Sequence, residues 1–371
     1  MSIRRVSVAK AYAQTLWAHA RLRTRADIAR HQDRLWRKLT PAIARTPALA
    51  HLAGAALENF PLVEPHAMRA HIADWNSLGL SAEAILAGAE AAERGENSEV
   101  SAGVFAGFST GSAGMRGVFF SSAAERARYL GQSLAKLLPG DVPRRRRIGL
   151  CLRADNALYR DVASAGPFAF RFFSLTEDAQ ARADAVAAFA PDIFIAPAHV
   201  LSELARFAEA GAFSPPRFER LYFGAEPMGV GERAWIAERL GARPDPIYQA
   251  TEGFLGAACR RGALHLNEDS IRFEFEPVGA GRHRPIITDL RRTSQIMARV
   301  RLDDLVQLDD APCACGSPLQ VVAPIEGRVN DVWRWGDRMI FPRDVEATLE
   351  GALGASAQWR ACASPSGVRL E

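Results

Sequence analysis

Residues 103–122 read GVFAGFSTGSAGMRGVFFSS. Ser109, Thr110, Gly111, Ser112, Gly114 and Gly117 crowd together between two apolar runs, with Arg116 among them. A loop this rich in glycine and hydroxyls can aim consecutive backbone N–H groups at one anion. The hydroxyls add donors and the guanidinium adds charge. Phosphate binding is the chemistry such a cradle would serve. It is not a Walker loop, because no Gly-Lys-Ser/Thr follows at the required spacing. Taken alone, the same composition also suits a flexible hairpin turn.

A second constellation lies further on. Cys259 and His265 form one short pair, Cys313 and Cys315 another. Together they supply four soft or borderline ligands, the number that closes a tetrahedral zinc shell. A closed shell leaves no open coordination position, so the metal would be structural. The bland reading is two turn thiols and a strand histidine. Cys151, in an apolar stretch, and Cys362, near the end, are expected to be unligated.

The elements that must carry these groups follow from the pattern of the chain. It has 371 residues, 48% of them apolar and 24% charged, as expected for a soluble globular protein with a large core. The net charge of +4 does not call for nucleic acid, and the run Pro143–Arg147 reads as a solvated loop. Lys10, Lys38 and Lys136 are the only lysines; the other basic residues are arginines. The first twenty residues have no long apolar core, and no window approaches a membrane span. Five cysteines are an odd set that fits a reducing, cytoplasmic setting.

Residues 1–100 read as helical, with Ser81 as one N-cap and Gly95 as a stop. The stretch around the glycine-rich loop reads strand, loop, strand, and Ser122 opens a helix that ends at Pro139-Gly140. From Ile148 strands alternate with helices. The expected helices are 156–166, 176–190 with Thr176 as N-cap, 199–211 and 230–241. Such alternation predicts an α/β sheet with ligands near the carboxyl ends of its strands. From about residue 255 to 325 the pattern turns β-rich.

Several of these segments resemble, in order, the motifs of adenylate-forming enzymes. Ser109–Gly117 is similar to their phosphate loop, one residue shorter, without its proline and with Arg116 in place of lysine. Phe223–Met228 resembles the Gly-Ala-Glu-Pro segment beside adenine. Tyr248–Gly253 resembles the Tyr-Gly-x-Thr-Glu segment. Ala298–Leu308 resembles the Arg-Tyr-Arg-Thr-Gly-Asp-Leu segment, and Ile325–Asp331 the Gly-Arg-x-x-Asp hinge. The nearest branch is the phenylacetate–CoA ligase-like one, close to the adenylate-forming enzymes of aryl-polyene pigment clusters. That branch carries a similar Cys–His plus Cys-x-Cys set.

The resemblance implies an α/β fold in which a large multi-subdomain adenylate-forming N-terminal domain, residues 1–330, binds ATP. It comprises a helical start at 1–100, an α/β body at 101–253 and a β-rich zinc-bearing part at 254–330. Residues 331–371 are then the hinge and the start of a truncated C-terminal subdomain. The family's catalytic lysine in that subdomain has no counterpart after Asp331. The implied nucleotide contacts are Ser109, Thr110, Gly111, Ser112, Gly114, Gly117, Gly224, Ala225, Glu226, Tyr248, Gln249, Asp304 and Arg328. Tyr248 would stack on adenine. Asp304 would accept from the ribose hydroxyls, although Asp303 stands beside it where the family has glycine. Thr251, Glu252 and Arg116 would act at the phosphates, with Glu252 a hard oxygen ligand for Mg2+.

The implied reaction joins ATP to a small aromatic carboxylic acid and passes the acyl group to CoA or an acyl carrier protein. Phe170, Phe172, Phe173, Phe223 and Phe254 are the candidates for a flat acid pocket. Adenylation of nitrite or of a phenolic coenzyme stays open, as does nucleotide binding without catalysis. A homodimer is compatible with all of these.

Overall fold

The computed structural model describes residues 3–108, 117–138, 144–152, 168–364 and 367–371. The expected helix at 156–166 and the loop residues Ser109, Thr110, Gly111, Ser112, Gly114 and Arg116 lie outside them.

The helical start is present as Ile3–Arg21, Arg25–Ile43, Pro65–Ala70 and Ala82–Glu93. Ser81 caps the last of these, its hydroxyl accepting from the Ala84 N–H at 3.2 Å, and Gly95 follows at φ +72°. A small antiparallel sheet comes next: β1 (Glu99–Ser101), β2 (Val104–Phe108) and β3 (Val118–Ser122). Phe108 pairs directly with Val118, so residues 109–117 connect two hydrogen-bonded strands. The helix Ala123–Leu137 then starts on a capping box in which Ser122 and Glu125 satisfy each other's backbone N–H groups.

Among the described residues the main sheet has twelve strands. Its parallel part comprises β4 (Arg147–Leu152), β5 (Ala169–Ser174), β6 (Ile193–Pro197), β7 (Arg220–Gly224) and β8 (Pro244–Ala250). Helices Ala179–Phe189, Ala198–Glu209 and Val230–Leu240 connect its strands. Both faces are covered, so the strands read as near-continuous apolar runs such as Ile193–Pro197. Cys151, Phe173, Phe194, Leu201 and Ile236 pack into one core cluster here. The first of the three connecting helices begins later than the sequence suggests. Asp178, rather than Thr176, is its N-cap, accepting from Gln180 and Ala181, and the Thr176 hydroxyl instead meets that of Ser174 at 2.7 Å.

Antiparallel strands continue the same sheet: β9 (Gly253–Ala258), β10 (Leu264–Leu266), β11 (Ile271–Gly279), β12 (Arg282–Asp289), β13 (Val300–Arg301), β14 (Val306–Asp309) and β15 (Val321–Val322). Strand β9 pairs antiparallel with β8 and so joins the two parts of the sheet. The run around Arg147 is not wholly solvated: Arg146 is buried, with its Nε donating to Glu219 at 2.8 Å.

After Asp331 come a small hairpin, the helix Pro342–Leu353 and a second hairpin. Glu350 of that helix reaches the body of the protein. Its carboxylate accepts from the Gly231 and Glu232 N–H groups at 3.1 and 3.0 Å, closing the open end of Val230–Leu240. A Cβ added at Gly231 would stand 3.0 Å from that carboxylate, so glycine there lets the two helices meet.

A candidate active-site cleft and a candidate metal centre

The carboxyl ends of parallel strands are where an α/β sheet presents ligand sites. Here Leu152, Pro197, Gly224 and Ala250, the last residues of β4, β6, β7 and β8, all line one cleft of about 1550 Å³. Gly117, where the loop re-enters β3, lines it as well.

At the end of β7 the chain turns sharply. Ala225 has φ +68°, a left-handed conformation that is costly for a residue with a Cβ. The turn brings Gly224, Ala225 and Glu226 to the cleft wall. The Glu226 side chain is engaged by His199, whose Nδ1 lies 2.8 Å from Oε2 and whose backbone N–H donates at 3.1 Å. The hydrogen bond to Glu226 raises the imidazole pKa against the opposing effect of burial. Burial resists ionisation of Glu226, but the contacts with His199 leave its carboxyl below the ordinary range.

A register irregularity between Tyr248 and Gln249 interrupts the pairing of β8 with β9. Such a bulge re-aims side chains. Tyr248 is buried and donates to Asp304 Oδ2 at 2.8 Å, while Gln249 is exposed and accepts from the Tyr129 hydroxyl at 2.9 Å. Burial, then the Asp304 carboxylate, hold the Tyr248 phenol protonated well above its usual range. Asp304 is itself raised by burial, against the pull of Tyr248 and Arg328. Arg328 faces it across an isolated antiparallel bridge. The neighbouring Asp303 is engaged elsewhere, accepting from Arg284 at 2.7 Å.

Thr251 and Glu252 form the turn between β8 and β9, and both line the cleft. Burial raises the Glu252 carboxyl pKa, and the nearby Asp304 adds to it. The cleft thus gathers Gly117, Gly224, Ala225, Glu226, Tyr248, Gln249, Thr251, Glu252, Asp304 and Arg328. Of the candidate acid-pocket rings, Phe170, Phe223 and Phe254 line it, with Tyr129 edge-on to Phe254 at 5.9 Å. Phe173 is buried in the core cluster instead.

Three further groups line the cleft that the sequence does not single out as functional. Glu125 accepts from the N–H groups of Ser122, Thr293 and Ser294. Burial opposes its ionisation, yet the Ser294 and Ser122 donors and Arg292 bring its carboxyl down to about 2. Asp289 accepts from the Arg291 and Arg292 N–H groups at 2.8 and 3.1 Å. Arg292 donates to the carbonyls of Thr251 and Phe120 at 3.2 and 3.1 Å. These residues lie in an unremarkable stretch, DLRRTS, and matter only through the elements that they join.

The metal candidates also come together. Cys259 follows β9, His265 lies in β10, and Cys313 and Cys315 sit in the connection from β14 to β15. Because β15 pairs with β10, this connection closes on the first pair. The four ligating atoms lie within 4.8 Å of one another. Cys259 and Cys313 Sγ are 3.9 Å apart, and Cys315 Sγ is 3.4 Å from His265 Nε2. A tetrahedron with ordinary zinc bond lengths has edges of about 3.8 and about 3.6 Å for these atom pairs. His265 Nδ1 lies 2.9 Å from the Leu319 carbonyl oxygen, which assigns its proton there and leaves Nε2 to face the thiols. Burial lowers the imidazole pKa and favours the neutral form that binds metal. The N–H groups of Arg261 and Ser317 point at Cys259 and Cys315 Sγ, at 3.3 and 3.5 Å. The donor set and its spacing fit zinc.

No family model matches this sequence, and no curated protein sequence does so either. Solved structures do. A structure of 2-hydroxyisobutyryl-CoA ligase in the postadenylation state, in complex with R3-HIB-AMP, aligns at a TM-score of 0.67. The identity is 16%, over 94% of this chain and 79% of that one. An open conformation of that ligase with 2-HIB-AMP and CoA gives a TM-score of 0.63 at 18% identity, over 95% and 86%. The amide bond synthetase McbA from Marinactinospora thermotolerans gives 0.53 at 15%, over 74% and 59%. The chain has the fold of the adenylate-forming ligases.

Proposed function

We propose that this protein is an ATP-dependent adenylate-forming enzyme that activates a small aryl carboxylic acid as its acyl adenylate, for transfer to CoA or an acyl carrier protein. One observation carries the reading. Residues from the ends of four parallel strands, from the β8–β9 turn and from the 303–331 region converge on one cleft, and their types support a nucleotide-binding reading.

Tyr248 and the Gly224–Glu226 turn hold adenine, Asp304 takes the ribose hydroxyls, and Arg328 stands beside them. Phosphate binding is assigned to the Ser109–Gly117 segment and Arg116 on their resemblance to the family's phosphate loop, with the Thr251 hydroxyl donating to the α-phosphate. Glu252 would hold magnesium, which supplies charge neutralisation at phosphate oxygens when bound. The substrate carboxylate attacks the α-phosphorus in line, its bond to pyrophosphate breaks, and pyrophosphate leaves. Positioning and electrostatics carry such a step. Phe170, Phe254 and Tyr129 give the acid pocket its aromatic wall. Cys259, His265, Cys313 and Cys315 hold a structural zinc that ties two antiparallel connections together. The thiol set suits the cytoplasm.

The test is pyrophosphate release with ATP and magnesium across a panel of benzoic, hydroxybenzoic and cinnamic acids. Release with at least one acid is expected. Silence across the panel, together with no binding of ATP or AMP, would exclude the reading.

A further inference from the structure

The Thr251–Glu252 turn and β3 come from segments 131 positions apart (Phe120 and Thr251), yet one side chain donates to both. The Arg292 guanidinium gives Nη1 to the Thr251 carbonyl at 3.2 Å and Nη2 to the Phe120 carbonyl at 3.1 Å. Nη2 also meets Gln295 Oε1 at 2.5 Å, which fixes the rotamer. The backbone of Arg292 is tied down in turn, because its N–H and that of Arg291 both donate to Asp289. The next two residues are held from the opposite side. Glu125 accepts from the Thr293 and Ser294 N–H groups and from the Ser294 hydroxyl, at 2.7, 2.8 and 2.7 Å. The same carboxylate accepts from the Ser122 N–H, at the last residue of β3, at 2.8 Å. Residues 289–294 are therefore anchored at both ends, and Arg292 projects from them into the cleft wall.

We infer that Arg292 is a positioning residue that holds the Thr251–Glu252 turn at a fixed distance from β3, the strand that receives the glycine-rich loop. The inference rests on the proposed nucleotide site, where the turn and the loop serve the phosphate end. A planar fork is suited to this task. It presents two nitrogens to two carbonyls at a fixed separation and in one plane, whereas a lysine ammonium is a point charge on a flexible stem. Adenine and ribose are held elsewhere, by Tyr248, Asp304 and the Gly224–Glu226 turn, none of which Arg292 touches. Loss of the fork should therefore weaken the triphosphate end and spare the nucleoside end.

Three proteins test this: wild type, Arg292→Gln and Arg292→Lys. Calorimetric titration with Mg-ATP and with AMP gives the ratio of the two affinities. Hydrogen exchange at residues 118–122 and 250–253 reports the clamp directly. In Arg292→Gln, ATP affinity should fall about tenfold or more, as expected when charge-assisted hydrogen bonds are lost, with AMP affinity within about threefold. Both segments should exchange faster. Arg292→Lys keeps the charge without the fork, so it should exchange like Arg292→Gln and recover only part of the ATP affinity. Parallel loss of ATP and AMP binding with a lowered melting temperature would mean a purely structural role. Full recovery by lysine would mean that charge alone matters. Either result overturns the inference, as does unchanged exchange at both segments. Should the wild type bind neither nucleotide, the proposed function fails, and the exchange data still judge the clamp.

Discussion

The Tyr248 hydroxyl donates to Asp304 Oδ2 at 2.8 Å across 56 positions of sequence, and both residues line the cleft. The bond orients the aspartate while leaving its other carboxylate oxygen unengaged by the phenol. It also separates Asp304 from Asp303, whose carboxylate is taken by Arg284. Asp304→Ala should lower AMP affinity by about tenfold or more, the loss expected for hydrogen bonds to a charged group. Tyr248→Phe should lower it by about threefold to tenfold, and Asp303→Ala by no more than about twofold. Titration calorimetry with AMP separates the three. Equal losses for Asp303→Ala and Asp304→Ala would undo the assignment of the ribose contact to Asp304.

Glu125 supports the same region from below, and its effect on stability has a defined sign. Its carboxyl is depressed from an ordinary 4.5 to about 2 in the folded protein. The contribution is present above pH 4.5 and is lost as pH falls through about 2. At neutral pH it amounts to on the order of 3 kcal/mol. Glu125→Gln should lower the unfolding free energy by a sizeable part of that at pH 7, and the gap from wild type should narrow on acidification. Denaturant unfolding at several pH values gives the curve.

A carboxylate group of opposite sign sits where the helix Pro342–Leu353 meets the body. Glu346 is raised to about 7, first by burial, against the pull of Arg343, and further by Glu350, Glu232 and Glu326. A raised acid binds a proton on docking. Its contribution is therefore full below pH 4.5 and is lost as pH rises through about 7. Amide exchange in residues 342–353 should quicken between pH 5.5 and 8 beyond the intrinsic base dependence, by up to about thirtyfold in the docking equilibrium. Glu346→Gln should flatten that profile. Gly231→Ala, which sets a methyl group against Glu350, should raise exchange at every pH.

Metal analysis of protein prepared without chelators should find about one zinc per chain, the content of a single closed tetrahedral site. Cys313→Ser should bring the content towards zero and speed amide exchange in β10 and β15, while exchange in β3 stays as in wild type. Wild-type protein free of zinc would dispose of the site.

Much of this was legible before any coordinates, for identifiable reasons. The parallel strands announce themselves because burial on both faces forces apolar runs, as in Ile193–Pro197. The helix at Ser122 is legible because a capping box is local chemistry. The four metal candidates are legible because thiols and imidazole in close pairs are rare. What stayed hidden depends on register and distance. Asp178 displaced Thr176 as N-cap by two positions, a choice between two competent residues. The bulge at Tyr248–Gln249, which turns one side chain inward and the other outward, leaves no mark in composition. Nor could the run Arg291-Arg292 be distinguished from the many other arginines. Its role comes from Phe120 and Thr251, which only folding brings beside it.

Lys136 is buried against Asp269 at 2.9 Å, and Lys10 and Lys38 stand on the two N-terminal helices. No lysine is among the described residues that line the cleft. Among the described residues, the wall of the compartment proposed to generate a reactive mixed anhydride thus carries no primary amine. Guanidinium groups, protonated at any physiological pH, take the places where charge is needed. An anhydride held there would find no ε-amine to acylate among the described residues of the surrounding wall.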